Sequence, residues 1–239
     1  MTADARAAAP RRERARFVAR ENRFVLLAER ADGREVRAYL PNTARLTDVL
    51  VPGAPLMIVG HDDPRRRTDW TVTRVWDGTW VALAASGAAD LVATHLRAGR
   101  SLPGWPRPIA LRREVTRSGR RFDLELDLED GATAIVEVKS LSRARGGVAP
   151  LSATPSTRGV AHLDVLGTLA ESGVPAAVSF VIQRGDAEVL DLDTPADPSW
   201  TSAVRRARDR GVTIVAYACH VTDHELRLGE PVPVTGGTG

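Results

Sequence analysis

The chain is almost without lysine: arginine fills all but one of its 33 basic positions, and the exception is Lys139 in Ile135-Val136-Glu137-Val138-Lys139. In so strong an arginine bias, the exception marks a place that needs a compact ammonium able to share a proton, which guanidinium cannot do. Cysteine is equally scarce. Cys219 is the sole one, which excludes a disulfide framework and a thiolate metal site. It lies in the apolar run Thr213 to Cys219, where cysteine reads as a small hydrophobe of a buried strand. No apolar stretch reaches the length of a membrane span, since Trp80 to Ala93 is broken by Ser86, Gly87 and Asp90. Residues 1–15, rich in Ala and Arg, lack the apolar segment of a signal peptide and read as a disordered leader, so a cytoplasmic location is the default. There is no glycine-rich nucleotide loop and no Gly-x-Ser-x-Gly elbow. His220 and His224 are four apart but follow a strand, so neither a helical pair nor a zinc motif is supported.

What is present is enough for a large core. The 239 residues are 43% hydrophobic and 26% charged, compatible with one large domain or two small ones. Net charge is only +3, yet the isoelectric point is near 9.7. Clustered arginine is the footprint of a phosphate-binding face, or else simply solvated surface charge.

From residue 16 to about 86 the chain offers short apolar runs: Phe24 to Leu27, Val36 to Leu40, Leu56 to Val59, Trp70 to Trp76 and Trp80 to Leu83. Asp32-Gly33, Pro52-Gly53 and Asp77-Gly78 punctuate them, so a small closed barrel is expected, with one short helix over Thr43 to Leu50. An oligonucleotide-binding (OB) barrel is one candidate, and its usual partner is single-stranded nucleic acid. Phe24, Tyr39, Trp70 and Trp76 either stack bases or fill the core. Residues 87–230 read as a mixed α/β domain: a helix over Asp90 to Arg97, a helical or extended segment at Ile109 to Thr116, and two strands from Phe122 to Val138. A loop to about Ser156 follows, then helices over Thr157 to Ser172 and Trp200 to Arg210, and strands over Ala176 to Gln183 and Val212 to Cys219. Residues 231–239 read as a mobile tail.

The two strands form an acidic hairpin. In Phe122-Asp123-Leu124-Glu125-Leu126-Asp127-Leu128-Glu129 the alternation is strict, so one face is apolar and the other carries four carboxylates. Glu125, Asp127 and Glu129 read as solvent-facing acids of a half-buried edge strand. Asp123 depends on the turn: a two-residue loop would set it opposite Val138, and a three-residue loop with Gly131 left-handed would set it opposite Glu137. Glu137 and Lys139 point to the same side of their strand. In the second register Asp123, Glu137 and Lys139 converge, and two close carboxylates make a natural site for a hard divalent ion such as Mg²⁺. Such an ion can polarise a phosphoryl oxygen, with the lysine orienting water or stabilising developing charge. Arg112, Arg113, Arg117, Arg120 and Arg121, opposed locally only by Glu114, would guide a polyanion toward the hairpin. Arg65, Arg66 and Arg67 form a second run on a barrel loop. His162 shares a helix face with Arg158.

Asp123 followed by Glu137-Val138-Lys139 resembles the PD-(D/E)xK nuclease signature. Nearly the whole chain, from about Phe17 to about Leu228, resembles the sugar fermentation stimulation protein A (SfsA) family. The matching stretches include Leu40-Pro41-Asn42-Thr43, Arg66-Arg67-Thr68, Arg113-Glu114-Val115, Arg121-Phe122-Asp123, Val136-Glu137-Val138-Lys139-Ser140, Arg158-Gly159, His162-Leu163 and Phe180-Val181-Ile182-Gln183-Arg184. The resemblance implies an N-terminal OB-like barrel and a restriction-endonuclease-like α/β domain. It further implies a family that binds DNA and acts as a Mg²⁺- or Mn²⁺-dependent nuclease on DNA or RNA, or alternatively a non-enzymatic DNA-binding regulator of sugar metabolism that keeps the nuclease fold. Carried over by position, Asp123 and Glu137 become metal ligands, Lys139 the catalytic lysine, and Glu114 the supporting acid from the first core helix. Arg66, Arg67, Arg113, Arg121, Arg158, His162, Gln183 and Arg184 become nucleic-acid contacts. A homodimer is left open. Two departures bear on this: Arg67 stands where the family has Lys, and Ala153 replaces a family acid.

Overall fold

In the strand Val25–Arg30, Leu26 and Ala28 are buried while Val25, Leu27 and Glu29 beside them are not, the period-two burial of a strand with one face on a core. The same habit builds the first of two compact units, which meet at Ala84/Ala85 in the computed structural model. Residues 11–151, 157–193 and 198–236 are described.

The first unit holds β1 (Arg12–Arg20), β2 (Val25–Arg30), β3 (Glu35–Tyr39), β4 (Pro55–Gly60), β5 (Trp70–Trp76) and β6 (Trp80–Ala82). β1 pairs antiparallel with both β2 and β4, β2 with β3, and β4 with β5. A short parallel pairing of Ala38 with Trp70 and Tyr39 with Thr71 closes the ring. This is the OB arrangement, filled by Leu26, Leu40, Leu56, Ile58, Val72, Val75 and Leu83, all 0% exposed. Trp70 is part of that core, beneath the guanidinium groups of Arg11 and Arg30, so it is not a base-stacking surface.

Two expectations need correction. β1 begins at Arg12, inside the stretch read as a leader. Thr43 to Leu50 is irregular with a single turn at 47–49, not a helix, and Leu46 takes a left-handed φ of 56°. The reason is Arg20: its guanidinium binds the carbonyls of Asn42, Ala44 and Arg45, while Asn42 Oδ1 takes the Ala44 amide. Those groups are thereby diverted from a helical ladder.

The second unit begins with a 3-10 turn and α1 (Ala88–Arg97). β7 (Pro108–Arg117), β8 (Arg120–Leu128) and β9 (Thr133–Leu141) form an antiparallel meander, followed by β10 (Val148–Pro150), α2 (Thr157–Glu171) and β11 (Ala176–Ile182). β12 (Val189–Asp191), α3 (Pro198–Asp209), β13 (Thr213–Val221), β14 (Leu226–Val232) and β15 (Val234–Thr235) complete it. The main sheet runs β14-β13-β11-β9-β8-β7, with β9, β11 and β13 parallel. Every residue of β11 is buried, as a central parallel strand covered on both faces must be. A small parallel sheet of β10, β12 and β15 lies beside it. The ambiguous Ile109 to Thr116 segment is strand β7, and residues 231–235, expected to be a mobile tail, run through β14 and β15. Among the described residues, no helix is long and apolar enough to cross a membrane.

Candidate active site

The turn between β8 and β9 decides the site. Leu128 N donates to Ala132 O at 2.8 Å, Gly131 N to Leu128 O at 2.9 Å, and Gly131 has φ 87°. This is the three-residue loop, whose left-handed position favours glycine. Asp127 then pairs with Thr133 and Leu124 with Val136, so the same register carries Asp123 to the level of Glu137. On the other side Arg113 pairs with Leu124 and Val115 with Phe122, which brings Glu114 level with Asp123. Three acids thus sit on three neighbouring strands at one height.

Their side chains are held differently. Asp123 Oδ2 accepts the Val138 amide at 2.7 Å. Burial, and next the nearby Glu137 carboxylate, push the Asp123 carboxyl above the usual carboxylate range, against the Val138 amide, Lys139 and His162. Glu137 is 4% exposed. Its Oε1 is shared by Lys139 Nζ and by His162 Nδ1, the latter at 2.8 Å. Its Oε2 is buried with no hydrogen-bond partner, a costly state for a carboxylate oxygen. Asp123, Glu137, Lys139, Arg158, Gly159 and His162 line one cleft of about 390 Å³ together with Glu114, Arg121, Phe122 and Val138.

Other assignments change. Glu114 lies on strand β7, not on a helix, at a left-handed φ of 54°, and its carboxylate is ion-paired with Arg121. Among the described residues, no three His, Cys, Asp or Glu side chains form a ready metal cage. His162 is 4% exposed and packs its ring against Phe122, 5.2 Å between centroids, so in this cleft it braces Glu137. Gln183 and Arg184 are 1% and 2% exposed. Gln183 Nε2 donates to Ser140 Oγ, and the Arg184 guanidinium grips both oxygens of Asp186 at 2.6 and 2.8 Å. Gln183 thereby ties the end of β11 to β9, and both side chains are buried in contacts within the protein. Arg158 is exposed at the first turn of α2.

The arginine cluster is also less free than its sequence. Arg112 binds Glu125 and Asp127, Arg117 binds Glu125, and Arg113 binds Asp90. Glu125 is 2% exposed, so β8 is no edge strand with solvated acids. β7 covers it, and its acidic face is neutralised by arginines arriving across the ladder. Arg66 and Arg67 stand on the β4–β5 loop of the barrel. Gly159 and Phe122 were not assigned functional roles from sequence; the signal available for the first was a glycine in the opening turn of a helix.

Comparison with known proteins agrees with this architecture. The model described as the SfsA N-terminal OB domain matches residues 18–83, and the one described as the sugar fermentation stimulation protein RE domain matches residues 87–225. A sugar fermentation stimulation protein homolog of Chloroflexus aurantiacus is 38% identical over 221 residues, covering 92% of this chain and 84% of the relative. A homolog of Acetivibrio thermocellus is 32% identical over 216 residues, covering 90% and 92%. The structure of Pyrococcus furiosus SfsA in complex with Ca²⁺ superposes with a TM-score of 0.81 at 24% identity, covering 94% of this chain and 96% of that one. With an OB barrel and a restriction-endonuclease-like domain in that order, the chain belongs to the sugar fermentation stimulation protein (SfsA) family.

Proposed function

We propose that the protein is a divalent-metal-dependent nuclease that hydrolyses phosphodiester bonds of DNA or RNA in the cleft at the end of the β8–β9 hairpin. One observation carries the reading: Glu137 presents a buried, unpartnered Oε2 beside the Asp123 carboxylate, with Lys139 on the same carboxylate. Buried acids without enough hydrogen-bond donors call for a cation, and their all-oxygen chemistry suits Mg²⁺ or Mn²⁺. A Ca²⁺ ion is named in the structure of the Pyrococcus furiosus relative, which supports a hard-cation site. Asp123 and Glu137 would hold the metal, and when bound it would polarise a phosphoryl oxygen and acidify a water.

The protein's own groups supply the rest. His162 holds Glu137 in one orientation, and the Val138 amide holds Asp123, so the ligands need not be ordered when substrate arrives. Lys139 Nζ donates hydrogen bonds to charge that develops on the phosphate oxygens. Its point-like ammonium fits between a carboxylate and a phosphate where a planar guanidinium would crowd. Arg158, exposed on the rim of the cleft, offers a cation to the adjacent phosphate. Asp123 and Glu137 face a polyanion, an arrangement with no use for binding alone.

A second reading has its own support. The pairing of Glu114 with Arg121 and the lack of a three-acid cage among the described residues favour a non-enzymatic DNA-binding regulator of sugar metabolism. Cleavage decides between them. Purified protein with Mg²⁺ or Mn²⁺ should cut at least one of single-stranded DNA, duplex DNA or RNA, and Lys139→Ala should lower the rate by about 10²-fold or more while sparing binding. No cleavage of any substrate with either ion leaves the regulator reading standing.

A further inference from the structure

The cleft at the hairpin is built from two rows of charge. Glu137, Asp123 and Glu114 stand level on β9, β8 and β7. Two residues further along the strands, in one direction, come Lys139, Arg121 and Thr116, with Arg121 paired to Thr116 in the ladder. Strand parity assigns both rows to one face, and the acids and cations of both line the same cleft. Each outer acid is met by a cation from the next row: Lys139 on Glu137 and Arg121 on Glu114.

The two ion pairs are not alike. Glu137 and Lys139 keep 5% and 24% of their side chains in solvent, and His162 holds the same carboxylate oxygen. Glu114 and Arg121 keep 63% and 58%. A pair so open to water contributes little to stability and exchanges readily, whereas the enclosed one is costly to break.

The backbone marks the same place. Glu114 has φ 54° inside β7, while Arg113 and Val115 on either side keep regular register with Leu124 and Phe122. A residue with a Cβ is strained in that conformation, and such strain persists only where the surroundings impose it. Return to an ordinary strand φ would set the Glu114 side chain beside that of Asp123, its cross-strand neighbour.

The cleft has a use for that carboxylate. Glu137 is 4% exposed and its Oε2 is buried without a hydrogen-bond partner. A hard divalent ion takes about six oxygens, and a third acid one strand away fills more of that shell than Asp123 and Glu137 do alone.

We propose that Arg121 is a built-in competitor for the metal site: it holds Glu114 while the cleft is empty, and Glu114 leaves it to become a third oxygen ligand when a divalent cation lies on Asp123 and Glu137. The pair thereby sets the cation concentration at which the cleft fills. The proposal rests on the metal reading of the same cleft, and a thermodynamic cycle separates the two.

Mn²⁺ binding is measured by isothermal titration calorimetry on the full-length protein without nucleic acid. Arg121→Ala should tighten Mn²⁺ about two- to fivefold, the factor that release of an exposed ion pair allows. Glu114→Gln should weaken it about tenfold or more. In the Glu114→Gln background the gain from Arg121→Ala should fall to about 1.5-fold or less, what a screened charge contributes without its acid. Both side chains are exposed, so these variants read the site and not the fold. A second measurement reads the strain: in EDTA, Glu114→Gly should melt above Glu114→Ala, because only glycine takes a left-handed φ freely. An equal gain from Arg121→Ala in both backgrounds would make Arg121 a distant field and not a competitor, and overturns the proposal. So do an unchanged affinity in Glu114→Gln and equal melting of the glycine and alanine variants. Wild type that binds Mn²⁺ but does not respond to Arg121→Ala refutes the competitor alone, and wild type that binds none refutes the metal reading and the competitor together.

Discussion

Lys139→Met in the absence of nucleic acid separates the metal question from the cleavage question. Glu137 keeps 5% of its side chain in solvent, and Lys139 and His162 share its Oε1. Deleting one partner of a fully enclosed ion pair costs about 3–5 kcal/mol. Here Lys139 retains 24% exposure and His162 stays on Glu137, so the cost should be nearer 1–2 kcal/mol, with methionine keeping the stem's bulk. For a unit of roughly 150 residues that lowers Tm by about 2–8 °C in EDTA. A divalent cation bound to Asp123 and Glu137 replaces the lost positive charge. At a hundred times its Kd it stabilises by about 2.7 kcal/mol, or about 5–11 °C. Differential scanning fluorimetry against MgCl₂ should therefore show both wild type and Lys139→Met rising, the variant at least as far, and Asp123→Asn/Glu137→Gln not responding. A cation response that survives the double substitution, or a wild type that shows none, would refute the site.

Three further outcomes are expected. Burial and the neighbouring Glu137 raise the Asp123 carboxyl, so its contribution to stability is present below the unfolded value and is lost as pH rises through the folded one. In EDTA, Asp123→Asn should match wild type at about pH 3.5 and outlast it increasingly above roughly pH 4; a Tm gap that does not grow with pH contradicts this. Arg184→Ala should cost about 2–3 kcal/mol in urea unfolding, chiefly because it empties a buried site, since Asp186 keeps 45% of its side chain in water. An Arg184 that served only phosphate would instead leave stability intact and weaken binding. Burial pushes the Cys219 thiol up to about 12, so a disulfide reagent such as DTNB at pH 8 should label it only on unfolding, and rapid native labelling would contradict the packing of β13.

How far the site could be read from residues depends on how local each decision is. Gly131 lies three residues after β8 ends and two before β9 begins, so its left-handed φ of 87° acts on the register locally. The open alternative between Val138 and Glu137 as the neighbour of Asp123 closed on that single residue. Glu114 was not local. Its strand, its φ of 54° and its pairing with Arg121 depend on β7 lying along β8. The arginine cluster misled for the same reason, since its partners Glu125, Asp127 and Asp90 arrive from other elements. The helix expected at Thr43 to Leu50 was lost to Arg20, more than twenty residues earlier in the chain.

The alternating strands of the barrel, the acidic hairpin and the isolated lysine two residues beyond Glu137 are legible in the residues alone. Periodicity, a glycine with positive φ and strand parity act over a few residues and need no distant partner. Only the tertiary structure decided which charges are spent. It placed His162 behind Glu137 and buried Gln183 and Arg184. It neutralised most of the arginine cluster and left Glu137 Oε2 without a partner. Burial and pairing are sums over neighbours far apart in the chain, and no local pattern carries them.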